Sequence, residues 1–159
     1  VKGTLTVNEI SESQNLVPQD KICNGVTMNI TSSAVSLLRV KVDVYYAEAG
    51  STEYTVTTDI EPIKNAGDNW LKGSDGYYYY TQGVKNGDIV KLAEGGIYFN
   101  GINDNVDMNK YQGEKIKVVA NAELVQAKHG VFAEKWGLSE NKDGDIYTKL
   151  KKISNDQGQ

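Results

Sequence analysis

Arg39 is the only arginine in a chain with 16 lysines. It stands on the polar side of the most regular alternating segment of the sequence. Arginine offers a planar fork of donors that a lysine cannot copy. Arg39 is therefore expected either in an exposed or cross-strand ion pair or in a fixed bidentate contact to a carboxylate, within the chain or across a subunit boundary. The other reactive types are sparse. His129 is the single histidine and Cys23 the single cysteine. One histidine cannot make a His-Glu-x-x-His motif or share a zinc ion with a second. One cysteine excludes an intrachain disulfide framework and a multi-cysteine zinc site. It reads as a small buried apolar residue, with an intermolecular bridge as the alternative. Asn103 to Asn109 concentrates side-chain oxygens of the kind calcium takes, but it lacks the EF-hand order and reads as a polar loop with local bonds. Asn141 to Asp145 reads as a hairpin turn. Tyr77 to Tyr80 follows an Asp75-Gly76 turn signal. Alternate tyrosines are expected in the core and the others over a solvent or subunit face, with a sugar- or partner-stacking strip as the alternative. Tyr78 and Tyr80 are thus candidate interaction residues, and Trp70 and Trp136 candidate core anchors. No catalytic residue, cofactor or metal is expected.

The elements that must carry these side chains read as strands. Leu38 to Tyr46 places Leu38, Val40, Val42 and Val44 on one face and Arg39, Lys41 and Asp43 on the other, the pattern of a sheet with one face on a core. Thr4 to Asn8 alternates around Leu5 and Val7. Ile22 to Ile30 alternates through Val26, Met28 and Ile30. Ile116 to Val125 reads as a long strand, with Ile116, Val118, Ala120, Ala122 and Leu124 together. Tyr54 to Thr58, Ile89 to Leu92, Ile97 to Ile102 and Ile146 to Ile153 read as shorter strands. Ala127 to Trp136 has the spacing of one short helix. The expectation is an all-β, jelly-roll-like two-sheet β-sandwich with one or two short helices. Residues 1–153 form one domain, and 154–159 (SNDQGQ) read as a disordered tail.

Composition narrows the function. The chain has 159 residues and a formal net charge of −4, which disfavours nucleic acid and anionic membranes as partners. No apolar run approaches the ~20 residues of a membrane span. Residues 1–10 lack the basic region and apolar core of a signal peptide. The chain therefore reads as cytosolic, or as an exported protein already processed.

Several local patterns occur in a recognisable order. Gly3-Thr4-Leu5-Thr6-Val7-Asn8-Glu9 is followed by Leu16-Val17-Pro18-Gln19-Asp20-Lys21 and by Leu38-Arg39-Val40-Lys41-Val42. Asn69-Trp70, Asp75-Gly76-Tyr77-Tyr78-Tyr79-Tyr80 and Val84-Lys85-Asn86-Gly87-Asp88 come next. Val118 to Gln126 (VVANAELVQ) then runs through Ala127 toward Ala133-Glu134-Lys135-Trp136. Over about residues 3–136 this set resembles the exported proteins of Gram-positive bacteria with a SipW-type alternate signal peptide, which include the TasA and camelysin matrix proteins and biofilm-fibre pilins. The resemblance implies a secreted protein of the extracellular matrix or cell surface that polymerises by donor-strand addition. Its partners would be other copies of itself in the fibre, together with accessory matrix proteins. Family members carry a further stretch before the Gly-x-Leu-x-Val segment, so the donor arm is expected to be trimmed here. Leu5 and Val7 belong either to the remnant of that arm or to the first core strand. The alternative readings are a secreted carbohydrate- or surface-binding β-sandwich module and, third, a camelysin-type protease.

Overall fold

The computed structural model describes residues 2–158, and the backbone alone for 2–11. Among the described residues ten strands run in chain order: β1 (Lys2–Gln14), β2 (Lys21–Cys23), β3 (Val26–Asn29), β4 (Ser36–Ala47), β5 (Thr55–Thr57), β6 (Trp70–Lys72), β7 (Tyr78–Tyr80), β8 (Ile89–Leu92), β9 (Ile97–Tyr98) and β10 (Lys115–Gln126). Two helices close the chain, α1 (Phe132–Trp136) and α2 (Gly144–Asp156). The large antiparallel sheet has the order β1-β10-β4-β7-β6, with β5 also on β4. Two antiparallel ladders, β2-β9 and β3-β8, supply the facing layer. This is the all-β sandwich expected from the alternation.

Alternation places the core. Leu38, Val40, Val118, Ala120, Ala122 and Leu124 of the large sheet meet Val26, Met28, Val90, Leu92 and Ile97 of the opposite layer. The Trp70 indole joins the layers by donating to the Lys91 carbonyl at 2.9 Å. A second cluster at one end gathers Val44, Ile60, Phe99, Tyr111 and Ile116. Two glycines are required by geometry. Gly76, at φ +87°, closes the turn between β6 and β7. Gly25 separates β2 from β3 at φ +104°, where a Cβ would lie 2.4 Å from the Ala93 carbonyl oxygen. It therefore breaks the expected Ile22–Ile30 strand in two.

The outer face of the large sheet is covered at one end by the C-terminal segment. Leu37, Tyr79 and Val125 are buried there against Phe132, Trp136, Ile146 and Leu150. The expected strand over Ile146–Ile153 is instead helix α2. Ile146, Leu150 and Ser154 recur every four residues, and all three are buried. Burying each of the two large apolar side chains contributes roughly 1.5–3 kcal/mol. The expected tail is likewise corrected, because the helix runs through Asp156 and the buried Ser154 hydroxyl accepts from the Gly130 amide at 2.9 Å. Asp143 is not in a hairpin turn but precedes α2 at φ +59°, and its carboxylate accepts from the Ser74 amide and hydroxyl. Ile97–Ile102 is strand only over its first two residues.

Candidate functional site

Strand β1 forms one edge of the large sheet, and among the described residues its strand partner is β10. The register sets Lys2 opposite Val125, Leu5 opposite Ala122 and Val7 opposite Ala120. The side chains of Leu5 and Val7 lie outside the described residues. Their positions face two alanines, the smallest residues of the β10 core row. The ladder then slips twice, between Val7 and Glu9 and between Glu9 and Ser11, before regular pairing resumes to Gln14 opposite Lys115. Past the slips, Glu12 accepts a hydrogen bond from the Tyr54 hydroxyl. The Gln14 amide donates to the Gly113 carbonyl at 3.1 Å. Asn15, at φ +65°, then turns the chain out of the sheet.

Arg39 occupies the middle of the outer face. Its cross-strand neighbours are Glu123 on β10 and Tyr79 on β7. The guanidinium Nε and one terminal nitrogen donate to the same Glu123 oxygen at 3.1 and 2.9 Å. The other terminal nitrogen donates to the Tyr79 hydroxyl at 3.1 Å and lies 3.5 Å from Asp75. The Tyr79 hydroxyl in turn donates to Asp75. The cation is sandwiched as well, with Cζ 3.9 Å from the Tyr77 ring centroid and 4.9 Å from that of Trp136. Tyr77 donates its hydroxyl to the second Glu123 oxygen at 3.2 Å. Burial opposes the charge on Arg39, yet hydrogen bonds to Tyr79 and Glu123 leave its pKa raised. Burial, and then the bond to Asp75, pushes the Tyr79 phenol well up. The Arg39 side chain is only 13% exposed. Its fork is engaged within the chain, as a cross-strand ion pair that fastens β4, β7, β10 and α1 to one another.

Tyr78, expected as a candidate contact residue, is 8% exposed and belongs to the sandwich core. Tyr80 is half-buried, with its ring 4.9 Å from Trp70. These two rings line an open cavity of about 250 Å³ together with Asp68, Asn69, Lys91 and Glu94. A second cleft, of about 450 Å³, runs past Asn100, Asp104, Glu61 and Lys64. Two oxygens of the Asn103–Asn109 loop are used locally: Asn103 accepts from the Asn105 amide and Asp107 from the Asn109 amide. Among the described residues, no three histidine, cysteine, aspartate or glutamate side chains gather as a metal set. His129 sits at φ +70° in a 3-10 turn between β10 and α1. Cys23 is partly exposed at the end of β2. The joint between Ser74 and Asp143 leaves no local pattern in the sequence. Asp75 and Glu123 join Arg39 without having been marked by a motif. For Glu123 the signal was available, since both long strands alternate and antiparallel pairing sets Arg39 against it.

No family model, curated protein or solved structure matches the chain.

Proposed function

We propose that the chain is a structural subunit of an extracellular biofilm-matrix fibre, secreted by a Gram-positive bacterium, that joins copies of itself by β-strand addition. The observation that supports this reading is the placing of β1. It is an edge strand of the large sheet, and its Leu5 and Val7 positions face Ala122 and Ala120 of β10. An identical strand from a second copy could make the same ladder, with the main chain supplying the hydrogen bonds. In that exchange each copy gives up its own β1 contact and regains it from a neighbour, so a chain of subunits forms without a new interface. Electron microscopy of the full chain beside a chain lacking residues 1–7 tests the reading. Fibres from the first alone support it. Equal assembly by both, or fibres from neither, overturns it.

A second reading, a carbohydrate- or surface-binding module, has the Trp70–Tyr80 cavity in its favour, because paired rings beside Asp68, Asn69 and Glu94 offer stacking and hydrogen bonds to a sugar. Glycan-array binding lost in Tyr80→Ala would promote it.

A further inference from the structure

The two halves of β1 are attached differently. Lys2 to Val7 oppose Val125 to Ala120 residue for residue. Asn8 and Ile10 are then passed over while β10 advances through Val119 and Val118. Two consecutive bulges interrupt the ladder and bend the strand. Beyond them the strand is held by more than its ladder. Glu12 is bonded to Tyr54, and Gln14 to Gly113. Leu16 packs on the cluster around Phe99 and Tyr111. Just behind the strand, the Gln19 amide is bonded to the Phe99 carbonyl at 2.8 Å. Withdrawing all of β1 would break the Glu12 and Gln14 bonds as well as the ladder, against a chain anchored directly behind it at Leu16 and Gln19. Withdrawing its first six residues breaks regular pairing only as far as a point where pairing is already broken.

Resting on the fibre reading above, we propose that the segment passed between copies is Lys2–Val7 alone, pivoting on the bulges at Asn8 and Ile10. Glu12–Gln14 stay on their own β10, and the receiving surface is Ala120–Val125 of the second copy. The three bulge residues Asn8, Glu9 and Ile10 span up to roughly 10 Å when extended. That is enough slack for the departing segment to turn away from its own sheet.

Two disulfide staples in a Cys23→Ser background separate the halves. Directly opposed residues of an antiparallel pair lie about 4.5–5.5 Å apart at Cα, within disulfide range. One staple joins Thr6→Cys to Asn121→Cys, and the other joins Gln14→Cys to Lys115→Cys; both are register partners. Assembly is followed by light scattering and electron microscopy with and without reductant. The expected result is that the oxidised Thr6–Asn121 staple stops assembly and reduction restores it. The oxidised Gln14–Lys115 staple should assemble at the rate of its reduced form. Assembly by the oxidised Thr6–Asn121 protein, or a block by the Gln14–Lys115 staple that reductant relieves, overturns the hinge while leaving fibres in hand. An unstapled Cys23→Ser chain that forms no fibre overturns the fibre reading itself, and the hinge with it.

Discussion

Replacing Arg39 by alanine removes the cation on which the outer face converges. The hydrogen bonds from its Nε and terminal nitrogen to Glu123 are charge-assisted, a class that contributes about 1.5–3 kcal/mol. Stacking between Tyr77 and Trp136 adds about 0.5–2 kcal/mol. Truncation also leaves Glu123 and Asp75 facing each other's charge across the vacated space. Glu123 is 32% exposed, so water screens part of the pair and these figures do not sum fully. A loss of about 3 kcal/mol is expected for Arg39→Ala. For Arg39→Lys, which keeps the charge but loses the fork and most of the stacking, about 1–2 kcal/mol is expected. Urea denaturation at neutral pH, with slopes unchanged from wild type, measures both. By calorimetry the alanine variant should melt about 6–12 °C lower, at roughly 2–4 °C per kcal/mol for a chain of this size. A loss under about 0.5 kcal/mol would refute the internal brace. Should such a stable variant also fail to assemble, Arg39 would be an intersubunit contact after all.

Tyr79 gives a pH signature. Its folded-state pKa lies above the ordinary tyrosine value, chiefly through burial, so its contribution is complete below about pH 10 and is lost as the pH rises beyond that. Urea midpoints should fall more steeply above pH 10 in wild type than in Tyr79→Phe; parallel curves would count against the assignment. Gly25→Ala forces a Cβ against the Ala93 carbonyl at positive φ and should cost about 2–4 kcal/mol by the same denaturation assay. Leu150→Ala opens a cavity beneath α2, where Leu150 is fully buried, and should cost about 2–5 kcal/mol. If α2 were a loosely attached tail, its loss would stay below 1 kcal/mol.

Much of the sandwich could be read from the chain because its two central strands alternate without interruption. β4 and β10 together carry the core row of Leu38, Val40, Val118, Ala120 and Ala122, and their period leaves no doubt about type. Helix α2 reads as a strand because Ile146, Tyr147, Thr148 and Ile153 favour strands by residue type, while the recurrence of Ile146, Leu150 and Ser154 at four-residue spacing carries the opposite message. Tertiary cover decided the matter: the apolar end of the sheet at Leu37 and Val125 needed a lid, and a helix with one buried stripe supplies it. β6 escaped notice because three residues, Trp70 to Lys72, are too few to show a period. The Arg39 centre was half legible. Its outward position and ion-pair role followed from alternation, whereas the stacking of Tyr77 and Trp136 depends on how α1 folds back, which no local pattern encodes.

A lone arginine has a practical consequence. A protease that cleaves only after arginine finds a single bond here, Arg39–Val40, in a strand flanked by β10 and β7. An extended substrate cannot enter an active site while it is paired on both sides, so the intact domain should resist digestion. Cutting into fragments 1–39 and 40–159 would then report opening of the central sheet. The sequence thus carries a one-site clock for its own unfolding, readable on a gel without label or mutation.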